Sequence, residues 1–180
     1  MRRASAAASG GAGSNLSPFT WRASPTPTDP DHITILGGWD TLNITTFECA
    51  ALARATHGRA RMVTMNHRVR PAFLALWEAW EKADLFGLLQ PIVWGGAYNP
   101  RYKRRVHGAP IDAPRELSPH ASGHAFDICA QRYPLGRAIP AEDPMQHFAA
   151  VARCQGWKWG GDFKRRPDGM HFQHVSSPFQ

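Results

Sequence analysis

The stretch Ser118-Pro-His-Ala-Ser-Gly-His-Ala-Phe-Asp127 constrains this chain more than any other. It sets His120 and Asp127 seven residues apart, across a glycine turn and into an apolar run. Pro119 and Gly123 argue against a helix, so the spacing reads as a turn feeding a strand. From Ala125 to Ala130 the residues alternate, with Ala125, Asp127 and Cys129 on one face and Phe126 and Ile128 on the other. Burial of the Phe/Ile face turns Asp127 toward a cleft beside a small Ala. Read this way, the stretch is half of a metal site. The candidate for the other half is Asp168-Gly-Met-His171-Phe-Gln173, which follows the aromatic, glycine-rich Trp157-Lys-Trp-Gly-Gly161. The rest of the fold must hold the two pieces face to face.

Zinc in a catalytic site takes three protein ligands from His, Asp or Glu and keeps a further position for water. His120, Asp127 and His171 fill that count. Asp168 lies three residues before the last of them. It can sit beside the metal without binding it, accept a proton from the attacking water and pass it to a leaving amine. The expected chemistry is metal-assisted hydrolysis of an amide. His124 and His120 make an alternative His-x-x-x-His pair, but that spacing needs a helix. His107, His147 and His174 have no partner pattern and are expected in ordinary exposed or hydrogen-bonded roles.

Upstream, Arg101-Tyr-Lys-Arg-Arg105 places four cations in five residues. This is either a solvated loop or a segment with at least one arginine turned into the site, where a planar fork suits a carboxylate. Across the 180 residues, 21 Lys and Arg against 14 Asp and Glu give a net charge of +7 with neutral histidines. Such a balance favours a polyanionic partner: nucleic acid, an anionic membrane or an acidic wall polymer. No recognised nucleic-acid motif is present, so nucleic acid is not expected as the partner. No run approaches the roughly 18 apolar residues of a membrane span, so stable membrane insertion is not expected and the chain reads as soluble. Cys49, Cys129 and Cys154 are odd in number and sit in apolar segments, as buried free thiols would.

Length predicts one domain with a real core and no need of disulfides. Residues 1–30 are small, polar and proline-rich, with only Leu16, Phe19 and Trp21 as larger apolar groups. They read as a flexible arm ahead of a single domain over 31–180. Met1-Arg-Arg3 is not followed by a Leu-rich core, so no cleaved secretory signal is expected. Ile33–Leu36 reads as a strand and Thr45–Ala55 as a helix. A second helix over Pro71–Leu85 would bury Phe73, Leu76, Trp77 and Trp80. Pro91–Trp94 reads as another strand. Asp143-Pro144 would start a last helix, with Met145, Phe148, Ala149 and Ala152 inward and Gly156 as its stop.

Taken together, Ser118-x-His120-x-x-Gly123-x-Ala125-x-Asp127, then Trp159-Gly-Gly161 and Asp168-x-x-His171-Phe-Gln173, resemble the signature of the zinc D-alanyl-D-alanine carboxypeptidase and L-alanyl-D-glutamate endopeptidase family, which includes VanY-type enzymes and many phage endolysins. The resemblance covers roughly residues 60–175. It implies an α+β fold, a small antiparallel sheet carrying a zinc site and flanked by helices, as in the hedgehog signalling domain. It implies zinc held by His120, Asp127 and His171, with Asp168 as general base. An arginine upstream that binds substrate or polarises its carbonyl would be Arg101, in Tyr98-x-x-Arg101, with Arg104 as runner-up. Ser118, Tyr98 and Trp159 are the expected substrate-binding residues, with helix or turn capping as the other role open to Ser118. Gln173 stands where many relatives have Glu, and Asp168 where several do. The expected partners are peptidoglycan stem peptides, met by a monomer. The expected setting is a phage endolysin held in the host cytoplasm until lysis, or otherwise a periplasmic or extracellular enzyme. The other reading of the resemblance is a non-catalytic, zinc-stabilised module that binds wall peptides.

Overall fold

The fold is described here by a computed structural model over residues 18–105 and 114–179. The element order is β1 (Trp21–Ala23), β2 (Ile33–Ile35), α1 (Trp39–Asn43), β3 (Ile44–Glu48), α2 (Ala50–Ala55), β4 (Met62–Asn66), α3 (Arg70–Lys82), β5 (Trp94–Gly96), β6 (Ala125–Ile128), α4 (Met145–Cys154), β7 (Trp157–Trp159) and β8 (His171–His174). The strands form two antiparallel pairs, β1-β2 and β3-β4, and one antiparallel sheet in the order β5-β6-β8-β7. The α+β class with a small antiparallel sheet is therefore the one the motifs implied.

The alternation in the central sheet decides what goes where. Phe126 pairs with Phe172, and Asp127 with His171. On one face Phe126, Ile128, Trp157, Trp159 and Phe172 are all buried. Against them α3 lays Phe73, Leu76, Trp77 and Trp80, at the helical spacing read from the sequence. The Phe126 ring stacks on Phe172 with centroids 5.3 Å apart, and Trp80 meets Phe172 edge-on at the same separation. Full burial of each such ring contributes on the order of 1.5–3 kcal/mol. Helix α4 adds Met145, Phe148, Ala149 and Ala152, and the Trp80 indole donates to the Phe148 carbonyl at 3.0 Å. Asp143 accepts from the Met145 N–H at 2.8 Å, the capping contact expected of it. The opposite face of the sheet is left for Asp127, His171, Gln173 and Lys158.

Four expectations are corrected. Residues 18–30 were read as arm, yet Trp21–Ala23 pairs with Ile33–Ile35 and Phe19 is buried. These residues close a second core of Phe19, Ile33, Leu117 and Ala121, backed by Trp21, Trp39, Tyr102 and Phe179. Few large residues suffice because Leu117 and Ala121, remote in sequence, supply the other side. Residues 1–17 lie outside the described residues. The helix read over Thr45–Ala55 begins only at Ala50, since the β-branched Ile44, Thr45 and Thr46 pair with β4 as strand β3. The strand expected at Pro91–Trp94 starts at Trp94, because Pro91 has no N–H to give a ladder. Of the three thiols, Cys49 and Cys129 are buried and free as expected, but Cys154, at the end of α4, is exposed.

Candidate active site

His120 is delivered by a 3₁₀ turn, Pro119–Ser122, which Ser118 caps by accepting the His120 N–H on its Oγ at 3.3 Å. The turn closes at Gly123 with φ +68°, where a Cβ would lie 2.6 Å from the Asn66 nitrogen, so only glycine fits. Beneath it lies the second core, through Leu117 and Ala121. The segment ahead of it is pinned by the Arg115–Asp31 ion pair, with the Arg115 guanidinium 4.1 Å above the Tyr102 ring. The N-terminal hairpin thus supports a turn that carries a site residue.

Strands β6 and β8 bring Asp127 and His171 to the same place. His120 Nε2 lies 3.2 Å from Asp127 Oδ1 and 3.1 Å from His171 Nδ1, and the last two atoms are 3.1 Å apart. The outer nitrogens set the tautomers. His120 Nδ1 donates to the Ala97 carbonyl at 2.6 Å, and His171 Nε2 donates to Gln173 Oε1 at 3.1 Å. Each ring therefore turns a bare lone pair inward, toward a carboxylate oxygen. When a proton instead of an ion sits in the cluster, burial works to raise the Asp127 carboxyl but the protonated imidazoles hold it well below the usual carboxylate range. Burial likewise works to lower His171, but the Asp127 carboxylate raises it.

Three acceptors in a near-equilateral triangle repel one another unless a cation joins them. His120, Asp127 and His171 are a group able to hold a metal ion. Two imidazole nitrogens and one carboxylate oxygen are a zinc-type set, and ligand atoms about 2.0–2.1 Å from a tetrahedral zinc stand about 3.3–3.4 Å apart. The observed separations fit that requirement. The outward hydrogen bonds of both rings are the usual means of orienting metal-binding histidines.

Beside the triad opens a cavity of about 660 Å³ whose lining includes all three residues together with Asp168. Asp168 is held by its N–H donating to the Gly160 carbonyl at 2.8 Å and its own carbonyl accepting from His171 at 3.1 Å. Its Oδ1 is buried with no hydrogen-bond partner among the described residues. Burial pushes its carboxyl upward, against a lowering pull from His171, with Asp127 adding to the rise. A carboxylate thus lines the cavity next to the metal-binding cluster.

Residues 112–174 match the D-alanyl-D-alanine carboxypeptidase family. The matched segment contains both halves of the site, and it bears out the resemblance carried by the motifs. At the level of the family it supports a metallopeptidase, and the family's zinc chemistry agrees with the His-Asp-His cluster. No curated protein and no solved structure matches the chain.

The other residues singled out from the sequence divide. Arg101 lines the cavity, with its Nε buried and without a partner among the described residues. Burial, and then Arg104 nearby, lower its pKa, against an upward pull from Asp127. Arg104 and Ser118 also line the cavity. Tyr98 does not. It is half-buried, its N–H donates to the Thr64 carbonyl at 3.0 Å, and burial together with Asp40 of α1 pushes its phenol up to about 12. Trp159 is corrected too: it is 1% exposed, and its indole donates to the Gly169 carbonyl at 2.9 Å. It belongs to the core face of β7.

His124 takes no place in the cluster; its Nδ1 bonds to the Ser122 carbonyl at 2.9 Å. Among the lining residues, Gln173 was read only as a departure from the family pattern, and Lys158 and Arg166 were not read as part of the site. Gln173 orients His171, and the signal was its i+2 position on the same strand face. Lys158 stands opposite Gln173 in the ladder and lines the cavity. The alternation Trp-Lys-Trp put both indoles inward and the lysine toward the site.

Proposed function

We propose that this chain is a zinc-dependent peptidase that hydrolyses an amide bond of peptidoglycan stem peptides, as a D-alanyl-D-alanine carboxypeptidase or an L-alanyl-D-glutamate endopeptidase. The observation that carries the reading is the Asp168 carboxylate, one oxygen of which is buried and partnerless among the described residues, lining the same cavity as the His120, Asp127 and His171 triad. His120, Asp127 and His171 would hold the ion. Zinc bound there supplies a Lewis acid for the scissile carbonyl and makes water a nucleophile near neutral pH. Asp168 takes the proton from the attacking water on its carboxylate and returns it to the leaving nitrogen. Arg101 pairs with the substrate carbonyl or with a carboxylate beside it, and its buried position strengthens that contact.

The surplus of cations suits an anionic wall. The setting we attach to the activity is lytic: a phage endolysin, monomeric, held in the host cytoplasm until it reaches the wall. No helix among the described residues is long and apolar enough to cross a membrane. The decisive experiment digests purified peptidoglycan with the zinc-loaded protein and identifies the new termini. Free D-alanine marks a carboxypeptidase and a new D-glutamate amine an endopeptidase; Asp168→Ala should release neither. Tight muropeptide binding with no new termini would show a binding module and end the peptidase reading.

A further inference from the structure

The cavity is cationic beyond what its chemistry requires. Its lining holds Arg101, Lys103, Arg104, Lys158 and Arg166, and its acids are Asp127 and Asp168. Both acids are assigned, one to the metal and one to the proton. Lys103 is paired with Glu116 at 2.7 Å, and Arg101 faces the reacting centre.

Lys158 stands on β7 opposite Gln173, and of the remaining two, Arg166 is fastened to the main chain that carries Arg104. Arg166 Nη1 donates to the Arg104 carbonyl at 3.2 Å and the Arg105 carbonyl at 3.0 Å. The loop after β7 is thereby fastened to the segment that carries Arg104. One nitrogen of Arg166 is used in this clasp, while a guanidinium has five N–H donors in a fixed fork. Neither arginine makes an ion pair among the described residues. Both side chains line one cavity, and a carboxylate bound there would accept paired N–H bonds from a guanidinium fork.

We propose, resting on the peptidase reading, that Arg104 and Arg166 form a subsite for a second carboxylate of the substrate, displaced from the scissile amide. The enzyme therefore selects acidic stem peptides over the same peptides with that carboxylate amidated. Arg101 serves the reacting centre; Arg104 and Arg166 read the residue beyond it.

The test uses two synthetic stem peptides that differ only in a free or amidated α-carboxyl on the γ-linked glutamyl residue. In the zinc-loaded protein, kcat/KM for the free acid should exceed that for the amide by about ten- to a hundredfold, as loss of a charged hydrogen bond implies, and mainly through KM. Arg104→Gln keeps the carbonyl that Arg166 clasps, and it should bring the ratio close to one. Equal rates in the unaltered protein, or a ratio that survives Arg104→Gln, overturn the subsite while leaving the peptidase standing. Calorimetric binding of both peptides to Asp168→Asn decides the matter without turnover. If neither peptide is cut, the peptidase reading fails, and an affinity gap that vanishes in the Arg104→Gln, Asp168→Asn protein still establishes the subsite. Equal affinities refute it.

Discussion

Asp127 and His171 stand opposite each other in the ladder between β6 and β8, with Asp127 Oδ1 3.1 Å from His171 Nδ1. Two of the three metal-facing atoms are thus placed by main-chain pairing. The third comes from a turn held by its cap and by the second core. A site built this way is largely formed before an ion arrives, and its ligands gain stability when the ion is bound.

The protein is expected to bind one zinc per chain, measured by elemental analysis after dialysis. Asp127→Ala and His171→Ala should each abolish stoichiometric binding, whereas His124→Ala should retain it. Free zinc at 100–1,000 times its Kd should add about 2.7–4.1 kcal/mol to the stability of the unliganded protein, seen as a higher Tm. Equal loss of metal in the His124 variant would contradict the assignment.

Asp168→Asn should keep the zinc and lower kcat by about 10²–10⁴-fold, the usual worth of a positioned base. In the metal-free protein burial raises the Asp168 pKa, while a bound cation draws it back down, so the acid limb of the rate profile should lie below the pH at which Asp168 titrates in the chelated protein. The stability effect has the same origin. A carboxyl whose folded pKa is raised adds stability below its unfolded pKa and loses it as pH rises through the folded value. In the chelated protein at neutral pH, Asp168→Asn should therefore melt no lower than the parent. A markedly lower Tm would make Asp168 a structural residue.

The ligands were legible because each sits in a local pattern: a Pro and a Gly around His120, a strand alternation around Asp127, and an Asp-x-x-His pair at 168–171. The α3 stripe was legible for the same reason, since Phe73, Leu76, Trp77 and Trp80 repeat at the helical period. What the sequence hid was non-local. Phe19 is core only because Leu117 and Ala121 come to meet it. Ile44–Glu48 is a strand because β4 lies beside it. Trp159 looked like a substrate platform until the register of β7 against β8 turned it inward and Lys158 outward.

Trp159→Phe tests that correction. It removes the N–H that satisfies the Gly169 carbonyl, and an unpaired buried acceptor costs about 1–3 kcal/mol. Denaturant unfolding should show that loss, with KM for a stem peptide changed less than twofold at a temperature where both proteins are folded. A large rise in KM without a loss of stability would restore Trp159 to the substrate site.

Gln173→Ala should leave His171 in place but free its ring to turn, since the Gln173 Oε1 contact at 3.1 Å fixes the outer nitrogen. Zinc affinity should fall about 10–100-fold, the usual cost of losing a partner behind a metal-binding histidine. Gln173→Glu preserves an acceptor at the same position and should recover most of that affinity in a competitive chelator titration. Failure of the Glu variant to do better than Ala would separate Gln173 from His171.

Gly160→Ala is the most demanding test of the arrangement, because it changes no group with chemistry of its own. A Cβ at this position would collide with the Asp168 carbonyl, lie 2.9 Å from the Asp168 Cβ and stand 3.1 Å from the His171 Cβ. The neighbouring atom is backbone, so it cannot swing aside as a side-chain tip would. The strand end and the 168–171 turn must part, and the base moves relative to the ligand beside it. A displacement of about 1 Å can cost about a hundredfold in rate, and overpacking adds about 1–3 kcal/mol of destabilisation. Gly87→Ala is the control, since its Cβ would meet nothing within 4 Å. Activity and zinc affinity should both fall in Gly160→Ala and hold in Gly87→Ala. Full activity in the Gly160 variant would mean that the close seat of Asp168 against β7 is not what sets the base.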